Sequence, residues 1–304
     1  MKRVVSVSLG SSKRDHSVEI ELLGEKIKVE RIGTNGDISA AMALIKELDG
    51  RVDAFGLGGI DLYIFAGNKR YVLRDAQKIA TVAKITPVVD GSGLKNTLER
   101  RVIEYLVKEQ ILSLLDQKVL LVSGVDRFGM AEALQQAGSL VTYGDLIFGL
   151  GIPIPLRSLQ ALNRVARVVA PVVSKLPFKY LYPTGKEQEQ VLGKHEKYYQ
   201  EANIIAGDFH YIRRHLPANL PGKTILTNTV TQEDITLLQD RGAKALITTT
   251  PELEGRSFGT NVLESILVAL SGAQSPLGEE QYNQLLQKIN FTPRVVQFPA
   301  ARVS

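Results

Sequence analysis

The sequence predicts an α/β protein with two α/β domains, of which the second is a Rossmann-like doubly wound parallel sheet. Short runs of β-branched residues alternate with the apolar spacing of helices along most of the chain. A long segment without glycine or proline, 94–117, separates two such series. The strand-like runs after residue 118 lack period-two alternation, which is typical of parallel strands buried on both faces.

Composition limits the class of the protein. A length of 304 residues suffices for two domains, and 44% hydrophobic with 23% charged residues is typical of globular proteins. Cysteine is absent, which excludes disulfides, thiolate nucleophiles and cysteine-ligated metals. The N-terminus does not have the pattern of a signal peptide, and no apolar run is long enough for a membrane span. We therefore expect a cytoplasmic protein without membrane contact.

The charge of the chain favours an anionic ligand. The formal net charge is +5, which attracts phosphates and carboxylates. Nucleic-acid binding would require a clustered basic stripe, and the strongest cluster, 210–216, is short. We therefore expect a small anionic substrate and no nucleic acid, and the sequence leaves a homodimer open.

Each element of the first series follows from a local pattern. We predict a strand at 3–9, a hairpin turning at Gly24–Glu25, a helix capped by Asp37 or Ser39, a buried strand at 52–59, a second hairpin around Gly67–Asn68, a helix at 74–84 and a buried strand at 85–91. Segment 94–117 predicts a long helix that crosses between the domains. We place the boundary after residue 112, so that 1–112 form a substrate domain and 113–304 a nucleotide-binding domain.

The second series restarts with a strand at 118–124. We then predict helices at 130–138, 158–169 and 233–242, and strands at 139–143, 202–209, 223–230 and 244–251. Pro171 should end or kink the second of these helices. The segment 281–298 predicts a final helix that folds back on the first domain.

A strand, a tight turn and a helix follow one another in "VLLVSGVDRFGMAEAL", 119–134. Gly124 and Gly129 bracket the turn, and the helix N-terminus would present amides to a pyrophosphate. Asp145 ends the next strand, where a dinucleotide fold binds the adenosine ribose. Asp126 occupies the position of the middle glycine of the usual motif, so a plain turn with Asp126 as helix cap is the alternative.

Two further strand ends should line the same edge of this sheet. Asn228 ends one strand, and three threonines before Pro251 end the last parallel strand. Carboxyl ends of parallel strands meet at one edge, where open α/β sheets bind ligands. The predicted cofactor-binding residues are Gly124, Asp126, Gly129, Asp145, Asn228, Thr248, Thr249 and Thr250.

The stretch "VDGSGLKN", 89–96, predicts a catalytic pair. Asp90 ends a buried strand, Gly91 and Gly93 permit a close approach, and Lys95 opens the long helix. A lysine and a carboxylate at the ends of parallel strands suit proton transfer to and from a hydroxyl or carbonyl. A helix cap at Thr97 is the alternative. We predict Lys95 and Asp90 as catalytic residues.

A polar strand exit near the N-terminus predicts substrate contacts. Ser6 and Ser8 alternate along the first strand, and Lys13 and Arg14 follow in "SVSLGSSKRDHS". These groups would bind a hydroxylated or carboxylated substrate, and a solvated turn is the alternative.

The loop "TTPELEGRSFGTN", 249–261, is rich in glycine and hydroxyl groups, and Arg256 has a planar fork that suits a carboxylate. We predict Arg256, Ser257 and Asn261 as further substrate-binding residues. We expect this loop to face 89–96 across a crevice between the domains, with Arg256 and Lys95 on opposite walls. An ordinary loop in which Thr260 or Asn261 caps the helix is the alternative.

These features resemble the shikimate/quinate 5-dehydrogenase group. Ser6 and Ser8 resemble that family's Ser-x-Ser substrate clamp at the end of the first strand. Residues 248–251, "TTTP", are similar to its Asn-Ala-Thr-Pro strand end near the cofactor, and the turn at 124–129 lies where its glycine-rich loop would lie. The family's Asn-Val-Thr-x-Pro-x-Lys stretch is missing, so neither Lys95 nor Lys69 carries over as its catalytic lysine.

The resemblance implies an NAD(P)-dependent oxidoreductase that acts on a small hydroxylated carboxylate. NAD is favoured over NADP, because Asp145 has no basic residue directly after it and an acid there suits a free 2′-hydroxyl. The alternative from another class is a non-catalytic protein that binds an anionic metabolite or nucleotide in the interdomain crevice. A nucleotide-dependent transferase is disfavoured, because no P-loop is present.

Overall fold

The computed structural model describes residues 1–66, 69–177, 195–253, 256–257 and 259–299. The chain divides into two compact units. Unit 1 comprises Met1–Thr97, Val168–Gln188 and Gly259–Phe291, and unit 2 comprises Leu98–Arg167, Glu189–Phe258 and Thr292–Ser304. The predicted domain boundary between residues 112 and 113 stays a prediction.

The described strands and helices are numbered in chain order. The strands are β1 (Lys2–Ser8), β2 (His16–Leu22), β3 (Glu25–Gly33), β4 (Ala54–Gly58), β5 (Tyr63–Ala66), β6 (Lys69–Val72), β7 (Val88–Val89), β8 (Lys118–Leu121), β9 (Leu140–Tyr143), β10 (Ile204–Ala206), β11 (Thr224–Thr227), β12 (Ala245–Thr248), β13 (Glu252–Leu253), β14 (Arg256–Ser257) and β15 (Arg294–Gln297). The α-helices are α1 (Ile38–Leu48), α2 (Arg74–Ala80), α3 (Ser92–Lys108), α4 (Phe128–Gln136), α5 (Leu159–Val173), α6 (Glu196–Glu201), α7 (Phe209–Arg214), α8 (Gln232–Asp240), α9 (Thr260–Ser271) and α10 (Glu279–Lys288). A 3-10 helix at Ser12–Arg14 and a π-helical turn at Asp145–Gly149 complete the description.

Unit 1 contains a five-stranded sheet in the order β2-β3-β1-β4-β7. Strands β3, β1, β4 and β7 are parallel, and β2 pairs antiparallel with β3. The core packs one face of this sheet against α1 and α2 through fully buried side chains such as Val5, Phe55, Ile45 and Ile79. The carboxyl ends of four strands therefore lie along one edge of the sheet.

The hairpin between β2 and β3 turns one residue earlier than predicted. Leu23 and Gly24 form the turn, with φ values of 53° and 78°. Two successive positive φ values match the right-handed twist of the flanking strands, which is why a two-residue hairpin loop adopts them. The predicted tip of the second hairpin, between β5 and β6, lies outside the described residues.

The predicted helix at 94–117 is shorter in the structure, where α3 ends at Lys108. Gln110 has a φ of 56°, and the N–H of Ile111 donates to the carbonyl of Leu106 at 2.9 Å. A left-handed residue followed by such a backward bond terminates a helix without glycine. The chain passes from unit 1 to unit 2 within α3, between Thr97 and Leu98.

Unit 2 contains a six-stranded sheet in the order β15-β12-β11-β10-β8-β9. Strands β8 to β12 are parallel, as predicted, and β15 adds an antiparallel edge that the sequence did not predict. The strand order reverses between β8 and β10, which creates the switch point of a doubly wound sheet. The predicted fold class, two α/β units with a doubly wound second sheet, is confirmed.

Two smaller features concern helices. The helix α5 continues through Pro171 to Val173, two residues beyond the proline that was expected to end or kink it. The segment 281–298 was predicted as one final helix, but α10 ends at Lys288 and Arg294–Gln297 form the strand β15. The helix α10 belongs to unit 1. Among the described residues, no helix combines the length and the apolar character that a membrane span requires.

Candidate functional site

Polar residues gather at the carboxyl ends of the parallel strands of unit 1. Ser8 ends β1, Gly58 ends β4 and Asp90 follows β7. At the start of α9, the side-chain amide of Asn261 donates to Ser6 Oγ at 2.9 Å. The structure thus brings Asn261 into the same unit as Ser6, Ser8, Asp90 and Lys95.

The two glycines of "VDGSGLKN" are required by the close approach of α9. A Cβ at Gly91, whose φ is 95°, would lie 2.7 Å from the backbone N of Asn261. A Cβ at Gly93 would lie 2.5 Å from Glu264 Oε1. Any side chain at either position would push α9 away from the strand ends, so the glycine-rich loop positions Asn261 beside the sheet edge.

Asp90 connects two neighbouring loops. Its Oδ2 accepts the N–H of Leu62 and the hydroxyl of Ser92, both at 2.5 Å, and its Oδ1 accepts the N–H of Ser92 at 3.2 Å. Burial raises the pKa of the Asp90 carboxyl, although these hydrogen bonds and the charge of Lys95 oppose the shift. The carboxyl is bonded to internal donors, so it holds the start of α3 against the loop after β4.

Lys95 forms an ion pair with Asp61, which lies in the loop after β4. Lys95 Nζ lies 3.3 Å from Asp61 Oδ1, and Lys95 is only 9% exposed. An amine and a carboxylate in a poorly solvated position can exchange a proton with a bound hydroxyl. Asp61 was not among the predicted site residues, although "GLGGIDLY" marks it as a polar residue at a strand exit.

Glu264 is a second buried carboxyl of unit 1 that the sequence did not predict. Its Oε2 accepts the N–H of Gly91 at 2.5 Å, and the hydroxyl of Tyr282 donates to its Oε1. Burial and the nearby charge of Asp90 raise the pKa of Glu264 to about 8. Glu264 therefore keeps its proton at neutral pH. The one feature of the sequence that could have indicated Glu264 is its position as a single acidic residue within the apolar run of α9.

In unit 2, Asp145 lies over the turn between β8 and α4. Its two oxygens accept the N–H groups of Gly124 at 3.0 Å and Val125 at 2.9 Å. Burial and the charge of Asp126 raise the pKa of Asp145 to about 6. Gly129 lies buried in the first turn of α4. The structure therefore brings two of the predicted residues, Gly124 and Asp145, into direct contact, and the charge of Asp126 acts on the same carboxylate.

Arg127, between the predicted Asp126 and Gly129, is a buried cation that the sequence analysis missed. Its guanidinium pairs with Glu99 and lies 3.1 Å from Asp208 Oδ2, and its Nε lies 4.0 Å from Asp126 Oδ2. Burial works against ionisation of Asp208, but the charges of His210 and Arg127 lower the pKa of Asp208 to about 2. Asp208 is therefore a permanent anion beside the switch point between β8 and β10.

The ends of β11 and β12 are linked by hydrogen bonds. Asn228 donates to Asp208 Oδ2 at 2.8 Å, and its backbone carbonyl accepts the hydroxyl of Thr250 at 3.0 Å. Thr248 donates to the carbonyl of Thr250 at 2.9 Å. Thr249 is 1% exposed, and its hydroxyl has no hydrogen-bond partner among the described residues. Because buried hydroxyls are normally bonded, Thr249 is the residue at this edge that most needs a ligand or water.

Asp145 fits a ribose hydroxyl of a nucleotide cofactor. A carboxylate accepts about four hydrogen bonds, and Asp145 uses three, from the two loop amides and its own backbone N–H. It can still accept a ligand hydroxyl. Thr249 directly follows β12, which three strands separate from β9, so it could bond only a distant part of the same ligand. The amides of Gly124 and Val125 already bind Asp145, so a pyrophosphate would have to be held by other groups. In the described ranges, no cluster of three or more acidic or histidine side chains could hold a metal ion.

Unit 2 also contains a cavity of about 510 Å³. It extends along β8 and β9, and its wall includes Tyr143, Tyr198 and Arg157. None of the predicted cofactor-binding residues lines it, so it does not support the predicted site.

The predicted loop at 249–261 is described only in part. Arg256 and Ser257 form β14, which pairs with β13, and their side chains lie outside what the structure describes. The last residues of the loop, Thr260 and Asn261, pack against Gly91 within unit 1. The predicted crevice, with Arg256 and Lys95 on opposite walls, stays a prediction.

Two protein families match parts of the sequence. The family described as "Domain of unknown function (DUF8754)" matches residues 93–298, more than half of the chain, so the chain belongs to this family. A second family, described as "Domain of unknown function (DUF8753)", matches residues 3–90. No curated protein matches the sequence.

Several solved structures match the chain at low similarity. An NAD-dependent malic enzyme from Thermotoga maritima is 12% identical, with a TM-score of 0.36 over 95% of this chain and 84% of that chain. A glutamate dehydrogenase from Thermus thermophilus is 13% identical, with a TM-score of 0.43 over 95% of this chain and 73% of that chain. A galactofuranose binding protein is 13% identical, with a TM-score of 0.36 over 95% of this chain and 99% of that chain. At this level, the likenesses carry no argument about function.

Proposed function

We propose that this member of the DUF8754 family is an NAD(P)-dependent oxidoreductase that acts on a small hydroxylated carboxylate, as its resemblance to the shikimate/quinate 5-dehydrogenase group implies. The supporting observation is the Lys95–Asp61 pair at the carboxyl edge of unit 1, with a separation of 3.3 Å. A buried amine beside a carboxylate is suited to give a proton to a carbonyl oxygen or take one from a hydroxyl.

The polar residues at the carboxyl ends of the unit 1 strands have distinct roles in the proposed reaction. Lys95 Nζ exchanges the proton with the substrate oxygen, and Asp61 orients the amine. Asp90 acts through its bonds to Leu62 and Ser92, which hold Asp61 and Lys95 in register. The hydroxyl of Ser6, fixed by Asn261, binds a polar group of the substrate.

Unit 2 would hold the cofactor, which supplies the hydride transfer when bound. Asp145 would accept a ribose hydroxyl, and Thr249 would bind a further polar group. The negative charge of Asp145 disfavours a 2′-phosphate at the same place, so we propose NAD in preference to NADP.

Binding of NADH and NADPH to the purified protein tests the cofactor assignment, with nicotinamide fluorescence and thermal stability as readouts. We expect NADH to bind more tightly than NADPH. A panel of hydroxylated carboxylates with NAD then tests turnover by the absorbance of reduced nicotinamide. Lys95→Met should lower turnover at least about a hundredfold while NADH binding persists. The matched control is Lys78→Met, which removes an exposed lysine paired with Asp75 and should change neither property.

A second candidate is a non-catalytic protein that binds a small metabolite. It is favoured by the surroundings of the β8–α4 turn, where Asp126 and Asp208 add negative charge beside Asp145 and the loop amides are already bound. A pyrophosphate there would meet carboxylates. If neither NADH nor NADPH changes fluorescence or thermal stability, this second function replaces the first.

A further inference from the structure

We infer that Arg31, a residue outside the proposed proton chemistry, binds the carboxylate group of the ligand of unit 1. The inference rests on the proposed function only in placing the ligand at the carboxyl edge of this sheet. Arg31 lies in the same unit as Lys95. It would bind the substrate carboxylate in place of Arg256, the residue predicted from the sequence.

Arg31 lies near the end of β3, directly opposite Ser6 in the pairing of β1 with β3. Its Nη2 donates to Ser8 Oγ at 3.0 Å. A Cβ at Gly10 would lie 3.0 Å from the same Nη2, so a larger residue there would press on the guanidinium. The side chain of Arg31 is 15% exposed, which leaves it accessible from the sheet edge.

The hydrogen bonds around Arg31 leave donors unused. Of its five N–H groups, three donate: two from Nη1, to the carbonyl of Ser11 and to Asp15 Oδ1, and one from Nη2, to Ser8. The remaining two have no acceptor among the described residues. The Ser8 hydroxyl accepts from Gly10 and Arg31, and its own hydrogen has no described acceptor. The site therefore offers donors to an acceptor-rich ligand.

Ser6 extends this row of donors. Its oxygen accepts from Asn261, and its hydrogen has no acceptor within the described part of the chain. Ser6 and Ser8 are 1% and 4% exposed, so water cannot freely satisfy these hydroxyls. A planar guanidinium beside hydroxyl donors is the arrangement that proteins use for carboxylates.

The charges around Arg31 also favour an anion. Lys13 and Arg14 precede Asp15 in the 3-10 helix after β1, and Asp15 is the one carboxylate that pairs with Arg31 among the described residues. Burial lowers the pKa of Arg31, the charge of Asp15 opposes the shift, and the charge of Arg14 adds to it. A ligand carboxylate would offset the excess of positive charge.

The row of donors borders the start of α9. A Cβ at Gly58 would lie 2.9 Å from Ser8 Oγ and 3.3 Å from the side-chain nitrogen of Asn261. Asn261 in turn lies against Gly91, four residues before Lys95 in the chain. A ligand whose carboxylate contacts Arg31 would bring its nearest hydroxyl toward Ser8, which bonds to the same guanidinium.

Asp15 must compete with the ligand for Arg31. Asp15 Oδ1 accepts from Arg31 at 2.9 Å and from the N–H of Gly33 at 2.7 Å. An asparagine at position 15 keeps an oxygen for Gly33 but removes the negative charge. The two substitutions at this pair therefore have opposite effects: loss of the Arg31 cation weakens binding of a carboxylate, and loss of the Asp15 charge strengthens it.

Calorimetric titration without any nicotinamide cofactor tests the inference. The probes are gluconate, glucitol, which has similar hydroxyls without the charge, and acetate, which has the charge without the hydroxyls. We expect gluconate to bind more tightly than both. Arg31→Met should weaken gluconate binding about tenfold or more, and Arg31→Lys should weaken it less. Asp15→Asn should strengthen it.

The matched control is Arg3→Met, which removes an arginine paired with Glu30 on the same sheet. Its gluconate affinity should equal that of the wild type. Equal binding of gluconate and glucitol, or no binding of any hydroxylated carboxylate of the activity panel, overturns the inference. So does a gluconate affinity that Asp15→Asn does not raise, a readout that remains if Arg31→Met fails to fold. Carboxylate binding through Arg31 without turnover would instead overturn only the proposed function.

Discussion

The carboxyl edges of the two sheets differ in what they leave unbonded. In unit 1, Ser6, Ser8 and Arg31 retain hydroxyl and N–H donors that have no acceptor among the described residues. In unit 2, Asp145 retains acceptor capacity, and Asp208 carries a full negative charge. Unused donors suit an acceptor-rich ligand such as a carboxylate, and unused acceptors suit hydroxyls such as those of ribose.

The difference shows that topology and side chains contribute separately to function. Both edges lie at the carboxyl ends of parallel strands, where α/β sheets bind ligands. The ligand class depends instead on the residues at the carboxyl ends of the strands, which include serines and an arginine in unit 1 and aspartates in unit 2. Substitutions that alter one edge alone are therefore the way to test the comparison.

The largest effect should come from the internal cation of unit 2. Arg127→Met would remove the cation that pairs with Glu99 and with the anion Asp208, and the Arg127 and Glu99 side chains are each 1% exposed. Breaking such a pair costs about 3–5 kcal/mol in the free energy of unfolding. Urea unfolding measures it.

The control for this prediction is Arg100→Met, which removes a partly exposed pair with Glu132. Exposed pairs contribute about 0–1 kcal/mol. Equal destabilisation by the two substitutions would show that the acidic edge of unit 2 does not depend on Arg127.

The next effect concerns the buried acid of unit 1. The raised pKa of Glu264, about 8 against an ordinary value of 4.5, means that the native state binds its proton more strongly than the unfolded state. The contribution of this proton to stability is full below pH 4.5 and is lost as the pH rises to about 8. Glu264→Gln should remove this loss. The slope of the free energy of unfolding against pH should then differ between the wild type and the variant by up to about 1.4 kcal/mol per pH unit.

Urea unfolding of the wild type and Glu264→Gln between pH 5 and 8.5 measures that slope. Asp90 and Tyr282 both interact with Glu264, so the difference in slope reports the protonation of this buried cluster after one member is replaced. Parallel pH profiles for the two proteins would contradict the protonated state of Glu264 in the folded protein.

A smaller effect is expected for the acceptor of unit 2. Because the pKa of Asp145 is about 6, its carboxyl becomes protonated below that pH and loses acceptor capacity. NADH binding should weaken as the pH falls below about 6. Asp145→Asn should bind NADH about tenfold more weakly at neutral pH and lose this pH dependence. Fluorescence titration across the pH range measures both.

Much of the fold could be predicted from the sequence because buried parallel strands have a distinctive composition. The five parallel strands of unit 2 follow from their β-branched runs, and Asp37 caps α1 as its position suggests. The strand β15 was not predicted, because its short segment pairs only with a strand distant in sequence. The early end of α3 depends on a left-handed Gln110, for which no glycine provides a signal.

The candidate site could be predicted only where it depends on local order along the chain. Polar residues directly after strands, such as Asp90 and Asp145, can be found by reading the sequence. Arg31 cannot, because its place beside Ser8 depends on the register between β1 and β3. Glu264 reaches Gly91 from a helix 173 residues further along the chain, and no local pattern indicates that contact.

A crossed calorimetric titration tests the difference between the two edges most directly. Gluconate and adenosine are each titrated into the wild type, Arg31→Met and Asp145→Asn. The comparison of donors and acceptors predicts that Arg31→Met loses gluconate binding and keeps adenosine binding, whereas Asp145→Asn keeps gluconate binding and loses adenosine binding. Loss of both ligands in both variants, or of neither in either, would contradict it.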